Sequence, residues 1–348
     1  MNIFIGVQSS AEVCETMYKL ELEGTYYEIG RQIGKALEKV KSYPPKFPQE
    51  VLEKSHAYEE VAKKYTPDLL EEFRGLADQL DIDYYVPITL ELTPYRFQMT
   101  SCLVYAVSGE HTKSSLPVLA RSHEWKEEES ENLAVCHTAP EGKLKSLGFT
   151  FHWPLVSRYG GMNEAGLAIS GASATFENSG PGIILNIAMR WILDNCKTTN
   201  EAVEFLEQMP KVWGESYMIV DKENTIAKVQ THAKKTITEY SDIGFESVTM
   251  QYDSPELLSY VNDSWEGQVK IHSTRQEFLN NWFDKNKGKI DEEMIQDNLK
   301  NHEHQMCSHE IEGLEICWSY ILTLGKKEAL LCSGRPCKNE FKNIKTPF

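Results

Sequence analysis

The stretch SCLVYAVSGEHTKSSLPVLARSHEW, Ser101 to Trp125, decides how the rest of the chain is read. Its two short apolar runs, CLVYAV and LPVLAR, are bounded by polar turn residues and read as paired strands of a hairpin. Cys102 opens the first strand, and Arg121 and Glu124 stand at the end of the second. A lone thiol in a strand is ordinarily a buried bystander, so these positions require a chemical reading of their own.

The thiolate is the nucleophile, and it needs a group to take the thiol proton. A histidine is the common partner, and the ten histidines of this chain leave that pairing open. The second route is a cut before the cysteine, which turns its own α-amino group into the base. That amine has a free pKa of about 8, close to working pH, and sits within covalent reach of the sulfur. Such a cut requires the cysteine at the first position of a strand, which is where Cys102 stands.

Working outward, residues before Ser101 read as helical. TYYEIGRQIGKALEKV places Tyr26, Ile29, Ile33, Leu37 and Val40 at helical spacing. TPDLLEEFRGLADQL offers Thr66 as N-cap and Pro67 at the first helical position. After Ser101 the period changes to two, through NLAVCHT, LGFTFHW and GLAISGAS. GPGIILNIAMRWILDNC and TTNEAVEFLEQM then return to helix, the second with a capping box from Thr198 to Glu201. A hairpin turns at Asp221–Asn224, a strand covers about Glu246 to Gln251, and helices are expected near Ser273–Lys285 and Asp291–Lys300. ICWSYILTL and EALLCSG close the pattern as strands. Strands, helices and strands in blocks indicate an α+β fold rather than a doubly wound sheet. Neither GxGxxG nor GxxxxGK[ST] occurs, which excludes the standard phosphate-cradling loops.

The 348 residues carry a net charge of −16, which excludes sequence-independent nucleic-acid binding. No apolar run is long enough to span a bilayer. The opening MNIFIGVQSS has no basic n-region, so a cytoplasmic protein with eight reduced thiols is expected.

Taken together, these segments resemble the cysteine N-terminal-nucleophile (Ntn) hydrolases that act on linear amides. The branch is the one containing acyl-coenzyme A:isopenicillin N acyltransferase, with choloylglycine hydrolases as distant cousins. LEGTYYEIGRQIGKAL and YTPDLLEEFRGLAD are similar to the branch's propeptide helices, and Cys102 falls where the mature chain begins. VLARSHEW stands where the family has Arg-Asn-x-Asp-Trp, and GGMNEAGLAISG resembles its Gly-x-Asn-Glu-x-Gly-Leu strand. HSTRQEFL, NHEHQMCSHE and SGRPCKNEF follow in the family's order.

The resemblance implies a four-layer αββα sandwich over residues 102–348, preceded by a helical propeptide-like segment, 1–101, packed on the core. It implies a zymogen that cuts itself between Ser101 and Cys102, then breaks a linear amide C–N bond through an acyl-cysteine. Cys102 would be the nucleophile, Arg121 would lie beside its sulfur, and Glu124 would hold the freed amine. Asn163 would donate to the oxyanion, and Arg275 and Gln251 would contact substrate. The expected partner is a small amide or acyl donor, with no cofactor, no metal, no nucleic acid and no membrane; a homo-oligomer is compatible with the sequence.

The chain departs from the family at three places. Ser122 replaces an asparagine, Glu124 an aspartate, and Met250-Gln251 an asparagine–histidine pair. A methionine thioether cannot donate a hydrogen bond, so the alternative is a weak or inactive relative that binds an acylated amine. The cluster His302, His304, Cys307 and His309 fits no standard zinc spacing. Lys126–Glu131 and Lys285–Lys289 read as solvated loops. Tyr26, Tyr27, Tyr84, Tyr85 and Trp153 read as core or rim aromatics, able to shape an acyl pocket if near a cleft.

Overall fold

The computed structural model describes residues 18–40, 43–96, 101–126, 133–153, 155–175, 180–261, 266–308 and 314–348. Cys14, His309 and the charged stretch 127–131 lie outside the described residues. In chain order the elements are β1 (Tyr18–Gly24), α1 (Tyr26–Leu37), α2 (Gln49–Tyr65), α3 (Pro67–Leu80), α4 (Tyr85–Leu92), β2 (Ser101–Val107), β3 (Val118–Lys126), β4 (Leu133–Pro140), β5 (Ser146–Phe151), β6 (Gly161–Asn163) and β7 (Leu167–Thr175). They continue as α5 (Leu185–Asn195), α6 (Thr199–Gln208), β8 (Gly214–Asp221), β9 (Ile226–His232), β10 (Lys235–Tyr240), β11 (Phe245–Val248), α7 (Pro255–Leu258), α8 (Glu266–Asn286), α9 (Glu292–Leu299), β12 (Leu314–Thr323), β13 (Glu328–Ser333) and β14 (Lys342–Lys345).

The strands form two sheets, ordered β1-β4-β5-β6-β7-β8-β9-β10 and β11-β2-β3-β12-β13-β14. Strand alternation distributes the apolar side chains into three spaces. Cys102, Val104 and Leu119 of one sheet meet Val135, Phe149, Ala168 and Met218 of the other. Leu103, Tyr105 and Val107 point the opposite way, onto Leu279 and Phe283 of α8 and Ile295 and Leu299 of α9. On the far side of the larger sheet, Ile169, Tyr217 and Ile219 pack with Ile187 and Leu193 of α5 and Val203 and Leu206 of α6. No helix among the described residues is long and apolar enough to cross a membrane.

The segment before Ser101 is not wholly helical, which corrects the sequence expectation. YKLELEG alternates apolar and charged residues and joins the larger sheet as β1, parallel to β4 from Tyr18↔Ala134 to Gly24↔Pro140. The helices that follow fit tightly on one another and on the core. A Cβ on Gly30 would lie 1.9 Å from the Glu72 carbonyl oxygen, and one on Gly75 would lie 2.0 Å from that of Tyr27. Only glycine lets α1 and α3 approach so closely.

Buried charges complete the attachment. Arg190 of α5 donates through Nη1 and Nη2 to the two carboxylate oxygens of Glu72 in α3, at 2.9 and 2.8 Å, and through Nε to Asp194 at 2.9 Å. Tyr26 donates to the same Asp194 oxygen at 3.0 Å. Glu91 of α4 accepts from the backbone of Val156 and Ser157.

Two helix starts differ in detail from expectation. Pro67 does open α3, but Thr66 makes no side-chain cap. Thr198 accepts from the Glu201 amide as expected, while the Glu201 carboxylate takes the Lys197 amide rather than that of Thr198.

Candidate active site around Cys102

Strand pairing aligns the candidate residues. β2 and β3 are antiparallel, with Ser101 opposite Glu124, Cys102 opposite His123 and Val104 opposite Arg121. Directly opposed residues share a face, so Cys102, Arg121, His123 and Trp125 project between the sheets. Glu124 projects toward the helices.

The Arg121 guanidinium is completely buried. Its Nη1 donates to the Tyr159 carbonyl and, at 2.8 Å, to Ser170 Oγ. Its Nη2 lies 3.2 Å from Cys102 Sγ and 2.6 Å from His123 Nδ1. Among the described residues no carboxylate forms an ion pair with it, and the Cys102 sulfur is one of its nearest neighbours. Burial opposes its protonation, but attraction to Cys102 and Tyr320 outweighs that and holds the guanidinium above its ordinary range.

His123 lies 3.7 Å from the sulfur through Nδ1, so the structure supplies the histidine neighbour that the sequence left open. A guanidinium only donates, so Nδ1 accepts from Arg121 and the ring proton is on Nε2. Burial first, and the Arg121 charge second, push the imidazole well below its ordinary pKa. Stacked on Trp318 at a 4.1 Å centroid distance, this histidine is held neutral and is a poor resting place for the thiol proton.

In front of the sulfur is a crevice lined by Cys102, Arg121, His123, Ser173, Asn186 and Trp213 among others, with about 10 Å³ of free space. That is about enough for a single water. Asn186, in the first turn of α5, is the residue the sequence reading missed. It is 1% exposed, and among the described residues neither its Oδ1 nor its Nδ2 has a hydrogen-bond partner. The available signal was an asparagine set among Ile184, Leu185 and Ile187 in an otherwise apolar run.

The other expected residues lie elsewhere. Glu124 Oε1 accepts from Arg275 Nη2 at 2.5 Å, and Arg275 Nε donates to the Gln305 carbonyl at 2.8 Å. Glu124 Oε2 is buried with no hydrogen-bond partner among the described residues, on the residue paired with Ser101. Asn163 does not line the crevice: its Nδ2 donates to the carbonyls of Leu193 and Cys196, and its Oδ1 accepts from Ala165 and Leu167. The amide that resembled an oxyanion donor is a clamp on the end of α5. Gln251 lines a separate cleft of about 650 Å³ with Phe245, His272 and Gln276, so the substrate contact expected of it is not at the thiol. Met250 is buried with Ile271. Tyr26 is tied to Asp194, and Tyr84 and Tyr85 to Glu59, so these rings brace the helices. One group of potential metal ligands occurs among the described residues, His302 with Cys307 and Cys337.

A mixed α+β fold of two sheets, with a buried cysteine facing a guanidinium and an unpartnered amide, defines a protein with a cysteine-centred polar site. The sequence model of the acyl-coenzyme A:6-aminopenicillanic acid acyl-transferase family matches residues 111–315, more than half of the chain, and the protein belongs to that family. It is a family of Ntn amidohydrolases and acyltransferases acting on linear amides. The matched span includes Arg121, Glu124, Asn163 and Arg275 and begins after β2, in which Cys102 is the second residue, behind Ser101, rather than the first as the sequence suggests.

Among solved structures, the chain is similar to penicillin V acylase from Agrobacterium tumefaciens, at 17% identity over 67% of this chain and 82% of that one, with a TM-score of 0.45. It is similar to the Caenorhabditis elegans ortholog of N-acylethanolamine-hydrolyzing acid amidase, at 12% identity over 65% and 93%, TM-score 0.44. A mutant of conjugated bile acid hydrolase from Clostridium perfringens matches at 15% identity over 71% and 97%, TM-score 0.43. No curated protein sequence matches.

Proposed function

We propose that this protein is a cysteine amidohydrolase or acyltransferase that matures by breaking its own Ser101–Cys102 bond. The observation that carries the reading is the 3.2 Å approach of Arg121 Nη2 to Cys102 Sγ at the head of β2. In the first step the Cys102 sulfur attacks the Ser101 carbonyl carbon. The peptide C–N bond breaks, the Cys102 nitrogen takes up a proton and a thioester forms. Water then releases the Ser101 carboxylate and leaves Cys102 with a free thiol and amine. Glu124 Oε2, buried and without a partner among the described residues on the cross-strand neighbour of Ser101, is suited to accept from that amine.

In turnover the amine takes the thiol proton and the sulfur attacks the carbonyl of a linear amide. The oxyanion requires donors fixed in advance. Asn186 Nδ2 has its hydrogens uncommitted in the crevice and fits that task, which Met250 and Asn163 do not. The leaving amine takes the proton, and water or an acceptor amine then resolves the acyl-cysteine. Neutral His123 orients Arg121 rather than serving as the base.

Met250 favours a second reading, a relative that binds an acylated amine without turnover. Intact mass and alkylation decide between the two. A fragment of residues 102–348, absent in Cys102→Ala, and amide turnover lost in the same variant are expected. A full-length chain that persists on incubation, with Cys102 alkylated no faster than the other thiols, overturns the enzymatic reading.

A further inference from the structure

We propose that His302, Cys307 and Cys337 form a site for a zinc-class divalent metal ion, which fastens the loop behind the Glu124–Arg275 pair to the C-terminal turn. The three potential ligand atoms lie within 4.8 Å of one another. Zinc bonds of about 2.3 Å to sulfur and about 2.0 Å to nitrogen place tetrahedral ligand atoms roughly 3.5–3.8 Å apart. Closing the present spacing requires inward shifts of about an ångström or less, within the reach of side-chain torsions.

The donor set argues for the kind of ion. Two thiols and an imidazole suit zinc and exclude calcium and magnesium, which take oxygen. A disulfide would use only the two sulfurs and gives no role to an imidazole at the same spacing. Exposure is graded across the set: Cys307 is buried, Cys337 half-buried and His302 exposed. An ion can therefore enter from solvent on the histidine side and keep a water as its fourth ligand.

Both loops are ordered by their own backbones. Cys307 N–H donates to Asn301 at 2.8 Å and Gln305 N–H to His302 at 3.1 Å. Lys338 and Asn339 N–H both donate to Arg335, each at 3.0 Å. Arg335 is fixed by an ion pair with Glu315. The Gln305 carbonyl is the acceptor of Arg275 Nε, so a metal on this loop would stiffen the support of Glu124. The sequence alone obscured the set, because Cys337 is remote from the histidine cluster and His304 turns away to stack on Phe278.

The test is titration of the reduced, metal-free full-length protein with zinc and, in parallel, with cobalt(II). Stoichiometric uptake is expected, with the sulfur-to-cobalt charge-transfer absorption and the visible bands of a tetrahedral site. Zinc should raise the thermal midpoint. Cys307→Ser and Cys337→Ser should lose both effects, and His304→Ala should keep them. Absence of saturable uptake overturns the proposal, as does uptake that survives both cysteine substitutions or an octahedral cobalt spectrum. The wild-type cobalt spectrum decides the matter if a variant fails to fold.

Discussion

Arg121 reaches Cys102 and His123 with a single nitrogen, Nη2, while its other terminal nitrogen is held by Tyr159 and Ser170. A lysine brings the charge but not the planar fork that satisfies four acceptors together. Arg121→Lys is therefore expected to slow both self-cleavage and amide turnover by ~10²-fold or more, as for other misplaced electrostatic groups. Intact mass against time and initial rates with an N-acyl amide check this. Wild-type rates in the lysine variant would leave the fork without a role.

Asn186 separates activity from stability. Its amide has no hydrogen-bond partner among the described residues, so an apolar replacement of similar size removes a buried desolvation cost. Asn186→Leu should unfold at an equal or higher temperature than wild type, with kcat lowered ~10²–10³-fold if the amide serves the oxyanion. A fall in stability together with unchanged kcat would show a packing role instead.

Glu72 and Arg190 form a completely buried pair. Removing Arg190 takes the shared cation from both Glu72 and Asp194, and breaking a buried pair in this way typically costs about 3–5 kcal/mol. Arg190→Met should lower the denaturant midpoint accordingly, and Glu72→Ala, which leaves Arg190 its pair with Asp194, should lower it less. A change under about 1 kcal/mol would mean that water enters to solvate the remaining ion.

Two carboxyls tie stability to pH. Burial, the largest cause, pushes Glu91 up from 4.5 to about 7 and Glu215 to about 8. A raised folded-state pKa gives stability that is complete below the unfolded value and is lost as pH rises through the folded one. The loss from these groups falls between about pH 4.5 and 8, so the thermal midpoint should decline across that window. Glu91→Gln should flatten the decline between 4.5 and about 7, and an unchanged profile would contradict the assignment.

The hairpin of β2 and β3 was legible because period-two spacing bounded by polar turns has few other outcomes, and the placing of Cys102 and Arg121 on one face follows from it. The same alternation in YKLELEG of β1 carried the signal, but its parallel partner is remote in sequence and the helices after it dominate the reading. Asn163 misled because a specific motif fixes where a residue stands and not what its amide touches. Asn186 was invisible for the converse reason: its importance lies in lacking partners, which is a property of the packed structure. Glu124 of β3 meets Arg275 of α8 in a strand–helix contact that no local pattern encodes.

The parallel ladder of β1 on β4, together with the Glu72–Arg190 pair, has a consequence for any scission before Cys102. The two pieces would form an obligate heterodimer translated as one polypeptide, neither half able to keep its shape in isolation. Fragments 1–101 and 102–348 should accordingly restore each other when produced together, in the manner of a split reporter.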